Sequence, residues 1–159
     1  MPGDIRSKER AIVTLTSTGG SLTTGSAGAG NATANFDARS TGNAPDDLVA
    51  QFELVCQWAT ITSIVAGTIA AELYLLPVLD GTNAPDVDLT SGTSRLPSAT
   101  FVGTFECTKA PTAATNMRFV SQPVYFNPLL YTPYVNNKSG QTMTANWSLK
   151  AVSAQGQYT

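Results

Sequence analysis

Histidine is absent from all 159 residues. That removes Ser-His-Asp and Cys-His nucleophile systems and every histidine-containing metal site in one step. Cysteine occurs only twice, as Cys56 and Cys107, too few for a disulfide scaffold or a four-thiolate zinc site. Both fall on the more apolar faces of predicted strands, which reads as two buried, reduced thiols. Charge is scarce as well: 13% of residues are charged, against roughly 25% in ordinary soluble proteins. Thr, Ser, Asn and Gln must therefore form much of the surface. A net charge of -2 offers no basic face for a phosphate backbone, so nucleic acid is excluded as an expected partner. No apolar run approaches the roughly 20 residues of a membrane span, and no apolar segment follows the charged N-terminus as in an export signal. Neither a membrane partner nor a cofactor is expected.

What remains is the punctuation of an all-β chain, with short apolar or alternating runs separated by Gly, Pro, Asn and Asp. About eight strands are predicted: Ala11 to Ser17, Asn31 to Ala38, Leu48 to Trp58, Thr68 to Leu76, Phe101 to Thr108, Arg118 to Phe126, Leu129 to Asn136 and Thr142 to Val152. The third alternates most clearly, with Leu48, Ala50, Phe52, Leu54, Cys56 and Trp58 on one face and Gln51, Glu53 and Gln57 on the other. The last points Met143, Ala145, Trp147 and Leu149 inward. Pro123 and Pro133 put parts of their strands at an edge or a bulge. The expected architecture is an antiparallel two-sheet sandwich, with a jelly roll favoured over an immunoglobulin-like arrangement. Residues 11–152 form this single domain. A charged arm, residues 1–10, precedes it and is expected to order only on a neighbour; a polar tail, residues 153–159, follows it.

Chemistry-bearing groups are few. Glu53, Glu72 and Glu106 lie on polar strand faces, and two carboxylates across a groove would suffice for glycoside hydrolysis; solvated surface glutamates are the plainer reading. Asp80, Asn83, Asp86 and Asp88 crowd one loop with oxygen ligands, as calcium requires, without matching an EF-hand. Glycosylation-like triplets begin at Asn31, Asn137 and Asn146, as chance provides in a chain rich in Ser and Thr. Trp58, Tyr125, Tyr131 and Tyr134 could stack on sugars in a carbohydrate-binding module. Equally, Tyr125, Tyr131 and Tyr134, with Tyr74 on the face opposite the main core stripe, could form an extended subunit contact. The cations Arg6, Lys8 and Arg10 of the arm could pair with carboxylates on a partner.

Glu72-Leu-Tyr-Leu-Leu-Pro-Val-Leu-Asp-Gly-Thr-Asn-Ala-Pro-Asp86 resembles a motif of small tailed-phage virion proteins. Pro45-Asp-Asp-Leu48, Phe101-Val-Gly-Thr-Phe105 and the turn Asn137-Lys-Ser-Gly-Gln141 fit the same pattern in order, over about two thirds of the chain. The chain departs from it between Tyr125 and Tyr134, where aromatics and prolines replace a basic strand. The resemblance implies a jelly-roll component of a bacteriophage particle and a location in the virion. The expected role is a non-enzymatic cement or decoration protein, a dimer or trimer bridging subunits of the major capsid protein. A neck, tail or fibre-base protein is the alternative.

Overall fold

Alternating apolar residues leave one face of each strand needing cover, and in this chain two sheets cover each other. The computed structural model describes residues 5–9, 12–16, 20–23, 27–29, 36–38, 47–79, 100–125, 127, 129–145 and 147–158. Among them are eleven strands: β1 (Ile5–Glu9), β2 (Val13–Thr16), β3 (Ala27–Ala29), β4 (Phe36–Asp37), β5 (Asp47–Cys56), β6 (Ile69–Pro77), β7 (Thr100–Glu106), β8 (Met117–Val120), β9 (Val124–Tyr125), β10 (Leu130–Asn137) and β11 (Ser148–Tyr158). All pairings are antiparallel.

Three positions in the sheets are each filled by two short strands. β1 and β2 both pair with β11, β3 and β4 with β10, and β8 and β9 with β5. Counted by position, the first sheet reads β1/β2, β11, β5, β8/β9, and the second reads β3/β4, β10, β6, β7. The first position thus pairs with the eighth, the second with the seventh, the third with the sixth and the fourth with the fifth. Such nesting is the jelly roll, and it excludes the immunoglobulin order.

The breaks have local causes. Pro123 lies between β8 and β9, where Ser121 holds the edge by accepting from Phe52 N at 3.0 Å through its hydroxyl and donating its own N–H to Phe52 O at 2.8 Å. Pro133 lies within β10, opposite Leu75 of β6.

Between the sheets, Ala50, Phe52, Leu54 and Cys56 of β5 meet Ala71, Leu73 and Leu75 of β6 with Tyr131 and Val135 of β10. Ring contacts tie the layers, Phe36 edge-to-face with Phe52 at 5.6 Å and Phe105 tilted against Phe119 at 6.3 Å. Trp58, Met143 and Trp147 are fully buried.

Two differences from the sequence expectation concern the chain ends. Ile5–Glu9, expected to be an arm outside the domain, is β1 and pairs from Ile5↔Tyr158 to Glu9↔Ala154. Ser153 to Tyr158, expected to be a tail, belongs to β11. Main-chain pairing needs no apolar side chain, so neither segment advertised itself through hydrophobic pattern. A third difference is Ala145, which is exposed where an inward position was expected. Met143 forms only isolated bridges, to Leu22 and Trp58, and β11 begins five residues later.

Candidate functional site

The expected partner-binding residues separate when placed on this fold. Tyr125 is 80% exposed on β9. Tyr74 is partly buried on β6, where its hydroxyl donates to Glu72 Oε2 at 3.1 Å. Burial, then the Glu72 carboxylate and the hydrogen bond to it, raise the Tyr74 pKa. Tyr131 and Tyr134 are corrections: both are buried and neither ring faces solvent. Tyr131 points into the core and donates to the Asn127 carbonyl at 2.9 Å. Tyr134 sits against Tyr74 with ring centroids 6.2 Å apart. In a strand with both faces covered, an aromatic residue is packing material whichever way it points. Of the arm cations, Arg6 and Lys8 lie on β1, and Arg10 lies outside the described residues.

The other candidate chemistries gain little from the fold. Glu53 projects from the first sheet and Glu72 and Glu106 from the second, so Glu53 shares no groove with either; Glu72 and Glu106 lie on neighbouring strands, where Glu72 is already engaged by Tyr74, Asn136 and Lys138. Trp58 is fully buried and its indole N–H donates to Ser139 Oγ at 2.9 Å, which with the buried Tyr131 and Tyr134 counts against a sugar-stacking platform. The Asp80 to Asp88 loop and the triplet at Asn31 lie outside the described residues. Among the described residues no group of three His, Cys, Asp or Glu could hold a metal ion. Cys56 and Cys107 are free and buried in the core. Burial, then the neighbouring Cys107, pushes the Cys56 thiol far above its ordinary value.

The Asn137 turn is structural. Asn137 is fully buried and its Nδ2 donates to the carbonyls of Leu22 and Gln141, both at 2.7 Å. Its Oδ1 accepts from Ser139 N at 3.0 Å and Ser139 Oγ at 2.7 Å. Gly140 has φ +77°, a conformation that favours glycine. Gln141 Nε2 reaches Ser63 Oγ at 2.9 Å. Asn, Ser, Gly and Gln at this spacing thus satisfy one another's polar groups at the end of the sandwich.

The surface that stands out is the outward face of the first sheet. Its alternation turns Val49, Gln51, Glu53 and Val55 of β5 away from the core, beside Arg118 and Val120 of β8, Tyr125 of β9, and Lys150 and Val152 of β11. Ile12 is 66% exposed and Val120 is 63% exposed. They flank a shallow depression of about 410 Å³ whose lining includes Gln51 and Val152. At one end lies an ion cluster. Arg118 Nη1 stands 3.1 Å from both Glu53 carboxylate oxygens, and Lys150 Nζ stands 3.5 Å from Oε1. Lys150 is directly across the ladder from Glu53, and Arg118 is diagonal to it. Exposed pairs of this kind contribute only about 0–1 kcal/mol each, so they orient the side chains more than they stabilise the fold. Sequence reading placed Gln51 and Glu53 on the polar face of their strand but did not find Ile12, Arg118, Val120, Lys150 or Val152. The available signal was an apolar residue out of phase, Val120 beside the inward Phe119.

No family model and no curated protein matches the chain. Among solved structures it is similar to VP2 of infectious bursal disease virus in a subviral particle. The identity is 12% over 98% of this chain and 34% of that one, with a TM-score of 0.35. It is also similar to the structure of the Gt strain of that virus, at 16% identity over 95% of this chain and 31% of that one, with a TM-score of 0.26. The chain spans about a third of the length of these structures. Likeness at this level carries no argument; the fold assignment rests on the strand pairing.

Proposed function

We propose that this chain is a non-enzymatic structural protein of a virus particle, a cement or decoration protein that fastens subunits of a bacteriophage capsid. The observation that carries this reading is the outward face of the first sheet. Ile12, Val120 and Tyr125 stand exposed there beside a depression and an ordered ion cluster, an apolar centre with a polar margin as in protein contacts. The sequence motifs that resemble those of small tailed-phage virion proteins support it further, and the burial of Trp58, Tyr131 and Tyr134 counts against the sugar-binding alternative. A protein that binds the assembled shell and not its free subunits stabilises the shell by mass action. Arg6, Lys8 and Arg10 would add charge steering, Tyr74 and Tyr125 contact area, and a dimer or trimer would place copies across subunit boundaries.

Cryo-electron microscopy of intact particles tests this. Many copies spread over the shell, with the first sheet against the major capsid protein, is the expected result. A single ring at the portal or tail would transfer the chain to the alternative, a neck, tail or fibre-base protein. Absence from the particle would overturn both.

A further inference from the structure

The geometry points to an acidic, apolar segment of the partner as the occupant of the depression on the first sheet. An aliphatic side chain of that segment seats between Ile12 and Val120, and an adjacent carboxylate lies on Arg118. This inference rests on the proposed function, since it names the chemistry of the surface that the first sheet would meet.

Three observations carry it. The first is shape. A volume of about 410 Å³ lies within the roughly 300–1,000 Å³ of ligand clefts and has room for more than one aliphatic side chain. Its walls rise from opposite margins of the sheet, Ile12 just before edge strand β2 and Val120 on edge strand β8, while Val152 of β11 and Gln51 of β5 lie between them. The second is exposure. Both walls are more than half exposed, so an aliphatic group placed between them removes apolar surface from water on both sides, at roughly 25 cal/mol per Å².

The third is charge. Glu53 faces two cations, Arg118 and Lys150, which leaves this cluster at +1 on a chain whose net charge is -2. The local reversal of sign attracts a carboxylate. It also disfavours the same face of a second copy, which would bring like charges together. Arg118 reaches Glu53 through Nη1 and is 66% exposed. A guanidinium carries five N–H donors in a planar fork. Among the described residues the rest of that fork has no carboxylate, so it can take one from outside.

The experiment uses the full chain, labelled with nitrogen-15, and two synthetic peptides, acetyl-Ser-Leu-Glu-Val-Ser-amide and its counterpart with Lys in place of Glu. The acidic peptide, titrated to millimolar concentration, is expected to shift the amide signals of Ile12, Gln51, Val120 and Val152. The basic peptide is expected to bind about two- to fivefold more weakly, the range set by one exposed charge pair. Arg118→Gln should abolish the difference between the peptides. Val120→Asp, at an exposed position where the fold is not at risk, should abolish binding of the acidic peptide while leaving the rest of the spectrum in place. The inference is overturned if the acidic peptide produces no shifts, if both peptides bind equally to the unaltered chain, or if the same amides shift with protein concentration alone, which would make a second copy the occupant. Because the peptides need no particle, failure here with the chain still found across the shell would sink the inference and leave the proposed function standing. Peptide selectivity with the chain missing from the shell would do the reverse.

Discussion

The side chain of Asn137 makes four hydrogen bonds from full burial, and three of its partner groups belong to the turn it closes. Replacing it with alanine leaves the buried Ser139 N–H without its acceptor and takes one of two donors from the Leu22 and Gln141 carbonyls, where an unpaired buried group costs about 1–3 kcal/mol. Asn137→Ala is therefore expected to lower stability by about 2–4 kcal/mol. Ser139→Ala, which chiefly orphans the Trp58 indole N–H, should cost less, about 1–3 kcal/mol. Urea titration followed by tryptophan fluorescence would read both, with the order of midpoints as the check. The thiols give a second expectation at this scale. Burial raises the pKa of Cys56 and Cys107 above the ordinary 9.0, with a further push on Cys107 from Glu106. A raised folded-state pKa means that the native state holds its protons longer than the unfolded state. The associated stability is fully present below pH 9.0 and falls as pH rises through the folded values. Tyr74 and Tyr131, raised from 10.0 chiefly by burial, act in the same direction. Stability is expected to be insensitive to these groups up to about pH 9 and to decline above it. A thiol reagent at pH 8 should modify both cysteines only at the rate of unfolding; rapid labelling of native protein would contradict their placement.

Among the elements, β1 and β11 depart most from the sequence expectation. They join the two ends of the chain, and Gly156, Gln157 and Tyr158 of β11 pair with β1 beyond the last β5 partner, Asp47 opposite Gln155. Removing residues 1–9 strips these positions of their ladder. The expected outcome is loss of amide protection at Ala154 to Tyr158 in hydrogen exchange, with protection retained in β5, β6 and β10, which pack the central core. Unchanged protection at Gln157 would show that β11 does not need β1. The same truncation carries a functional arm. If Arg6 and Lys8 steer attachment, their loss should weaken particle binding most at low salt, where exposed charges are least screened.

For the whole molecule, the nested pairing brings residue 5 beside residue 158 and residue 47 beside residue 155. Contacts so distant in sequence place folding in the millisecond-to-second range typical of β-sandwiches. Stopped-flow fluorescence of Trp58 and Trp147 would measure it. Attachment also belongs to this scale. Tyr125→Ser and Ile12→Ser lie on exposed positions, where substitutions usually change stability by no more than about 0.5 kcal/mol. Each should leave the melting temperature nearly unchanged while lowering the copy number on particles in cosedimentation. A variant that melts early, or that decorates as fully as the parent chain, would argue against the first sheet as the contact surface.

The sequence by itself determined the strand class and most of the core. Phe52, Leu54 and Cys56 against Gln51 and Glu53 is a two-residue period that only a half-buried strand satisfies, and those residues divide between core and surface as the period requires. Pro123 and Gly140 likewise marked a strand break and a turn, because a missing N–H and a positive φ are local requirements. Only the tertiary structure decided which strands lie side by side. Pairing is made by main-chain groups that every residue carries, so the nesting of β1/β2 on β11 and of β3/β4 on β10 leaves no mark in side-chain pattern. That is why Tyr131 and Tyr134 read as contact residues until both faces of β10 proved covered. Ile12, Val120 and Val152 lie far apart in the chain, and they become one surface because β2, β11, β5 and β8 are neighbours in space.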